Sequence, residues 1–161
     1  MKLDEIDLNI LVALQDNGRI TKTKLAEKVH LSVSPCHERV KRLEQAGYIK
    51  GYQTKIDIDR IVRNSLVFVQ VHLKQHRAED FIKFNEAILQ TPEVIECHAL
   101  GGGVDYYLKM IVNDIKHYQQ KIEFLLGSDL NIERYYTHIV TKLVKQSGYP
   151  IAELLMTERD L

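Results

Sequence analysis

Apolar residues recur at helical spacing in the first 46 residues of the chain. Spacings of three and four residues predict three short helices, at residues 4–15, 22–29 and 33–46. Residues that cap or end helices bound the last two of them: Thr21, Ser32 and Gly47. In the third helix, Cys36, Val40 and Leu43 form one apolar stripe, and the opposite side is small, polar and basic. This pattern is typical of a helix-turn-helix, whose second helix is anchored by one stripe.

The hydrophobic pattern changes after residue 64. β-Branched and aromatic residues at 65–73 predict a buried strand. Further strands are predicted at 94–100, 105–112 and 132–144, and helices at 77–91 and 114–126. The order β-α-β-β-α-β predicts an antiparallel sheet with both helices on one side. The predicted fold class is therefore α+β, with an N-terminal winged helix-turn-helix and a C-terminal ferredoxin-like βαββαβ domain.

The segments between these elements set the predicted domain boundaries. Residues 48–57 (YIKGYQTKID) are predicted to form the β-wing of a winged helix, with a plain linker strand as the alternative. The boundaries are then 1–57 for the first domain, 58–64 for a linker, 65–146 for the sheet domain and 147–161 for a tail. Residues 151–158 have the pattern of a short amphipathic helix, for which a partner subunit is one docking surface.

Composition limits the class of protein. A chain of 161 residues with 45% hydrophobic residues can form a packed core without disulfides. No apolar run is long enough to span a bilayer, and the N-terminus lacks the apolar core of a signal peptide. We therefore expect a soluble cytoplasmic protein. The two cysteines, Cys36 and Cys97, are expected to be reduced and packed as small hydrophobic residues.

Charge is balanced overall but not locally. The formal net charge is zero, yet residues 19–55 hold nine basic and three acidic residues. A positive surplus that coincides with a helix-turn-helix favours double-stranded DNA as a partner over a merely solvated face. Small residues near the start of the third helix can approach base edges, and later cations can reach phosphates. The candidate DNA-binding residues are Ser32, Ser34, Pro35, His37, Glu38, Arg39, Lys41, Arg42, Lys50 and Lys55.

These candidates divide into two roles. We expect Ser34, Pro35 and Glu38 to read bases, with Arg39 and His37 as further candidates. The expected phosphate contacts are Lys41, Arg42, Lys50 and Lys55.

A glycine run, GGGVD, separates two predicted strands. No helix opens directly after it and no GK[ST] follows, so it is neither a dinucleotide-binding fingerprint nor a P-loop. One interpretation is a flexible hairpin turn. The other is a notch in which backbone N–H groups meet the carboxylate of a small ligand, with Asp105 near the ligand's amino group.

Metal binding and catalysis find little support in the sequence. The pairs Cys36-His37 and Cys97-His98 cannot chelate a metal locally, because neighbouring side chains diverge on helices and on strands. No HExxH, GxSxG or CxxC is present. The same strand geometry argues against an enzyme that uses Cys97 and His98. We therefore expect no catalytic residue, no metal and no cofactor.

Several pieces of the chain resemble the Lrp/AsnC family of feast/famine regulators. They include LDEIDLNILVALQDNGRI, CHERVKRLEQAGYIKGY and PEVIECHALGGGVDYYLKMIVND, and the resemblance runs from about Leu3 to Ile151. It implies dimers formed through the C-terminal sheets, with further assembly often to octamers. It also implies an amino-acid effector bound near a Gly-x-x-Asp turn, between dimers.

The resemblance can be followed residue by residue at the glycine turn. Gly102 and Asp105 match the turn motif, and Tyr106 follows as in the family. Gly101 stands where the family usually has Thr or Ser, and Gly103 stands where a polar or acidic residue is usual, so two side-chain contacts are missing. Together these five residues form the expected effector site.

The expected function is a sequence-specific DNA-binding transcriptional regulator that responds to an amino acid and controls amino-acid metabolism. The alternative is an architectural protein that compacts DNA without an effector.

Overall fold

The computed structural model describes residues 2–151, 153 and 154. The chain divides into two compact units, one that joins the residues up to Lys55 to the chain from Lys145 onward, and one that spans Ile56–Val144. Each unit is built around its own hydrophobic core. None of the helices in the described part of the chain is both long and apolar enough to cross a membrane.

The first unit contains three helices, as predicted: α1 (Glu5–Asp16), α2 (Lys22–Lys28) and α3 (Val33–Gln45). Asp4 caps α1 through a capping box with Asp7, and the hydroxyl of Thr21 accepts a hydrogen bond from the Lys24 N–H at the start of α2. Ser32 holds the N-cap position of α3 but makes no side-chain hydrogen bond there. The helix-turn-helix prediction is therefore confirmed.

The end of α3 is a Schellman motif. Gly47 adopts a φ of 78°, its N–H donates to the Glu44 carbonyl, and the Tyr48 N–H donates to the Leu43 carbonyl. This left-handed turn stops the helix and directs the chain away from it. No strand is found at residues 48–57, so the predicted strand of the wing is not formed. A strand needs a hydrogen-bonded neighbour, and the described residues of this unit include none.

The second unit is built on a four-stranded sheet. Its elements are β1 (Ser65–Leu73), α4 (Ala78–Leu89), β2 (Val94–Ala99), β3 (Tyr106–Val112), α5 (Ile115–Gly127) and β4 (Ile132–Ile139). A short 3₁₀ turn, Ile58–Arg60, precedes them. The strand order is β2-β3-β1-β4 and every pair is antiparallel, which confirms the ferredoxin-like prediction.

The core of this unit lies between the sheet and the two helices. Val67, Val69 and Val71 of β1 point to this side, where they join Phe84 of α4 and Ile122 of α5. Every second residue of β1 points to the core, because successive side chains of a strand point to opposite faces of the sheet.

The last strand is shorter than predicted, ending at Ile139 rather than at residue 144. The Val140 N–H still donates to the Leu66 carbonyl, 2.9 Å away, but β1 begins at Ser65. The neighbouring strand therefore ends, and residues 141–144 have no ladder to continue.

The chain from Lys145 onward belongs to the first unit. The side-chain amide of Gln15 on α1 donates to the Tyr149 carbonyl at 2.7 Å. The predicted tail helix is described only in part: Ile151, Glu153 and Leu154 are helical, and Ala152 and residues 155–158 lie outside the described residues. The suggested docking of this helix on a partner subunit stays a prediction.

Candidate functional site

The outer face of α3 is exposed where the sequence predicted DNA contacts. Its apolar stripe, Cys36, Val40 and Leu43, packs into the core with α1 and α2. The opposite side is open, and the exposed candidate residues are Ser32, Ser34, Pro35, His37, Glu38, Lys41 and Arg42. Lys50 and Lys55 are exposed beyond the helix.

Two of the predicted DNA contacts, Arg39 and Arg42, are engaged inside the unit. Arg39 Nη1 donates to Asp7 Oδ1 at 2.8 Å and to Asp4 Oδ2 at 2.6 Å. Arg42 Nη2 donates to both Asp7 oxygens at 2.9 Å. The Asp7 side chain is only 1% exposed, whereas that of Arg42 remains 49% exposed. Both arginines therefore hold α3 against α1, and Arg42 keeps an open side.

The contacts in this arginine–aspartate cluster shift the pKa values of Asp4 and Arg39. The backbone N–H of Asp7, followed by the Arg39 guanidinium, lowers the pKa of Asp4. The hydrogen bonds to Asp4 and Asp7 raise the pKa of Arg39. No prediction from the sequence named this cluster, although its two acids and its two arginines are each spaced three residues apart, which puts each pair on one side of its helix.

A cavity of about 220 Å³ lies beside α3. Its lining includes Cys36, Val40, Lys22, His37 and Tyr52. Lys22 Nζ lies 3.4 Å from His37 Nε2, and burial raises the pKa of the Cys36 thiol. The volume is below the usual range for small-molecule sites, and Cys36 stays a protonated core residue.

The glycine run forms the turn of the β2–β3 hairpin. The Leu100 N–H donates to the Asp105 carbonyl at 2.8 Å, which closes the turn, and Gly102 adopts a φ of 113°. A Cβ atom at Gly101, Gly102 or Gly103 would meet nothing within 4 Å. The turn is therefore open on the side where side chains would stand.

Asp105 is fully engaged within its own unit. Its N–H donates to the Val71 carbonyl at 3.1 Å, and its Oδ2 accepts from the Leu73 N–H at 2.8 Å. Its Oδ1 lies 2.9 Å from Nε2 of His76. Asp105 is among the residues predicted from the sequence but His76 is not, because nothing local links two residues on different loops.

Tyr106 points the other way, into the core. Its ring stacks on Phe84 with centroids 4.3 Å apart, and its hydroxyl donates to Asn85 Oδ1 at 2.9 Å. Burial is the main cause that raises the pKa of Tyr106. The structure thus brings the three glycines and Asp105 together in one turn and places the Tyr106 ring in the core.

The cysteine–histidine pairs remain apart. Cys36 is buried in the first unit, and Cys97 is exposed on β2 of the second. His98 lies 3.5 Å from Glu96. Among the described residues no group of three or more His, Cys, Asp or Glu side chains could hold a metal ion.

Comparisons with known proteins agree with this two-part arrangement. Residues 66–150 match the family model described as the Lrp/AsnC ligand binding domain, and residues 3–50 match a winged helix-turn-helix DNA-binding model. The transcriptional regulatory protein DoeX of Halomonas elongata is 53% identical over 152 residues, covering 94% of this chain and 96% of that protein. The leucine-responsive regulatory protein of Escherichia coli K12 is 40% identical over 150 residues, covering 91% of this chain and 89% of that protein.

Solved structures share the whole fold. A Neisseria meningitidis transcriptional regulator in complex with L-methionine has a TM-score of 0.88 and 30% identity, covering 95% of this chain and 99% of that one. An AsnC family regulator from Agrobacterium tumefaciens has a TM-score of 0.87 and 27% identity, covering 94% and 99%. On the matched domains and on these relatives, the chain belongs to the Lrp/AsnC family of transcriptional regulators.

Proposed function

We propose that this regulator binds a specific DNA site through paired α3 helices and that an amino acid changes this affinity. The observation that carries the proposal is the exposed face of α3, opposite an apolar stripe in which Cys36 and Leu43 are buried and Val40 is partly buried. Helix-turn-helix proteins insert such a face into the major groove. In a dimer, two copies of α3 have to be about 34 Å apart, or a multiple of that distance, to meet successive grooves.

The DNA contacts follow from exposure and chemistry. Ser34, Pro35 and Glu38 read bases, assisted by His37 and Arg39, and Ser32 approaches the DNA at the start of the helix. Lys41, Arg42, Lys50 and Lys55 hold phosphates. The pairing of Arg39 and Arg42 with Asp7 gives these guanidiniums a preset orientation, and Arg42 keeps donors on its open side.

The amino-acid effector binds at the turn formed by Gly101, Gly102, Gly103 and Asp105, with Tyr106 supporting it from below. Support comes from the open space above the glycines and from the carboxylate at the end of the turn. Backbone N–H groups suit the carboxylate of an amino acid, and Asp105 suits its ammonium. One relative of similar structure was crystallised with L-methionine.

Assembly proceeds through the sheet that carries this turn. The side of the sheet opposite the helices has aromatic residues, including Phe68 stacked on Tyr107 at 5.3 Å and the half-exposed Tyr136. Such a face is suited to a second copy of the same sheet in a homodimer, and dimers then associate to an octamer. The protein acts in the cytoplasm, where the chromosome lies, and it has no enzymatic activity.

Footprinting across the genome with and without amino acids tests the proposal. We expect short protected sites with pseudo-palindromic half-sites, near genes of amino-acid metabolism, whose occupancy changes with one amino acid. Long phased protection that ignores every amino acid would instead favour the architectural alternative, to which the missing side chains at Gly101 and Gly103 lend support. Calorimetry with each amino acid gives the independent check, because absence of heat from all of them contradicts the effector site.

A further inference from the structure

The carboxylate of Asp105 has no oxygen left without a partner. Oδ2 accepts from the Leu73 N–H at 2.8 Å, and Oδ1 lies 2.9 Å from His76 Nε2. The two partners differ in exposure. Leu73 is the last residue of β1 and is buried, so its N–H is fixed by the sheet, whereas the side chain of His76 is 62% exposed. Oδ1 is therefore the oxygen whose partner can be exchanged.

His76 is nevertheless held in a defined position. Its ring is stacked on Phe81 of α4, with centroids 5.9 Å apart and planes at 25°. Phe81 in turn lies 6.2 Å from Tyr106. The neighbouring Arg77 pairs with Glu79 of α4, 3.6 Å away. The imidazole thus rests on an aromatic ring with its nitrogen directed at Asp105.

We propose that His76 sets the amino-acid affinity of the effector site, because its imidazole covers Oδ1 of Asp105 until the ammonium group of an amino acid displaces it. The inference rests on the proposed function of the Asp105 turn. An ammonium group needs a carboxylate oxygen as acceptor, and Oδ1 is the one that a ligand above the turn can reach. A ligand that lacks the ammonium group gains nothing by displacing His76, so His76 weakens the binding of free amino acids and leaves the binding of the matching carboxylic acids unchanged.

The geometry also sets the direction of the effect. Removing the imidazole leaves Oδ1 open, while the Leu73 N–H still orients the carboxylate. In this variant the ligand no longer has to break the His76 contact, so the free energy of binding becomes more favourable. A His76→Ala variant accordingly binds its amino acid more tightly, by about 2- to 10-fold if one ordinary hydrogen bond is lost.

Calorimetry on the full chain tests this inference with four variants. His76→Ala removes the competitor, and His76→Gln keeps a hydrogen-bond donor at the same place. Gln75→Ala changes an exposed neighbour on the same loop and serves as the matched control. Asp105→Asn keeps an acceptor for Leu73 but removes the charge. The probes are each of the standard L-amino acids and, for any that binds, the carboxylic acid of the same skeleton without its amino group.

We expect tighter amino-acid binding by His76→Ala, near wild-type binding by His76→Gln and Gln75→Ala, and loss of binding by Asp105→Asn. The carboxylic acid should bind wild type and His76→Ala equally. Binding by His76→Ala alone, with none by wild type, also supports the proposal.

Unchanged or weaker amino-acid binding by His76→Ala overturns the role of His76. If Asp105→Asn still abolishes binding in that case, the effector site itself stands. Wild-type affinity in Asp105→Asn would place the effector elsewhere and overturn both claims. Absence of binding to wild type and to His76→Ala alike overturns them as well.

Discussion

At the scale of single residues, Asp7 has the largest structural consequence in the DNA-binding unit. Its carboxylate is buried and receives hydrogen bonds from Arg39 and Arg42. A buried charge is tolerated only when it is paired and hydrogen-bonded, as here. The same contacts fix the two guanidiniums on α3, so this residue of α1 affects both stability and the DNA-binding face.

Replacing Asp7 by Asn should therefore destabilise the protein by about 1–3 kcal/mol, because charge-assisted hydrogen bonds become neutral ones. Urea unfolding measures the change. Asp16→Asn is the matched control on the same helix, since Asp16 pairs with Lys28 at 3.5 Å and both side chains are exposed. The control should change stability by less than about 0.5 kcal/mol. Equal effects of the two variants would contradict the structural role of Asp7.

A second prediction concerns the backbone at Gly47. Its φ of 78° lies in the left-handed region, where a Cβ atom costs about 1–2 kcal/mol even in open space. Gly47→Ala should lower the free energy of unfolding by roughly that amount. Gly127→Ala is the comparison, because Gly127 ends α5 without a positive φ and has open space around it. We expect Gly127→Ala to have the stability of the wild type or to be more stable by up to about 1 kcal/mol. Thermal unfolding of both variants measures the difference.

At the scale of elements, the sheet unit is joined by pairs that link helices to strand ends. Glu93, just before β2, accepts from Lys121 of α5 at 2.8 Å and from His117 at 3.1 Å. Asn131 donates to Asp80 at the start of α4, and Tyr118 of α5 shares a hydrogen bond with Thr137 of β4. These contacts position α4 and α5 on the sheet, in addition to the hydrophobic core.

The Glu93 contacts predict a pH dependence of stability. Burial raises the pKa of Glu93, but the hydrogen bonds from Lys121 and His117 outweigh it and leave the pKa below its ordinary value. A carboxyl group with a lowered folded-state pKa stabilises the fold above its unfolded pKa of about 4.3, and this contribution is lost as the pH falls below that value. Denaturation measured at several pH values around this pKa should show that the protein loses stability as the pH falls.

Glu93→Gln should weaken this dependence and destabilise the protein at neutral pH by about 0.5–1.5 kcal/mol. Glu123→Gln, on an exposed position of α5, should leave the acid-induced loss as in wild type. A wild-type loss that persists unchanged in Glu93→Gln would exclude this carboxyl group as its source.

At the scale of the whole molecule, the first unit is formed by two distant parts of the chain. Gln15 and Tyr149 are 134 residues apart in sequence, yet the side chain of one donates to the carbonyl of the other. Gly148 fits closely against the same glutamine, since a Cβ atom there would lie 2.9 Å from its amide. The returning chain is therefore part of the DNA-binding unit and not only a terminal extension.

DNA binding by the assembled protein gives the fourth prediction. Arg42→Ala and Lys41→Ala should each weaken binding to all sequences and reduce the salt slope of log K by about one unit, because each removes one of the proposed phosphate contacts. Arg42→Ala should also lower stability, since it removes a partner of Asp7. Lys116→Ala, an exposed lysine on α5, is the control for net charge. An unchanged slope in Arg42→Ala would remove Arg42 from the phosphate set.

The sequence by itself determined the order and type of the elements, because capping residues and hydrophobic periods act within a few neighbouring positions. The N-caps at Thr21 and Ser32, the stop at Gly47 and the βαββαβ order all agree with the structure. The exposed face of α3 could be predicted in the same way. The end of β4 could not, because it depends on where its neighbour β1 begins.

Only the tertiary structure decided which charged groups meet. Asp7 lies 35 residues from Arg42, and no local pattern links them until α1 packs on α3. Asp105 and His76 likewise belong to different loops, which the sheet register brings together. The physical reason is that contacts between distant residues depend on packing and register, which no local period encodes. The contacts between charged groups at both proposed sites therefore depend on the tertiary structure.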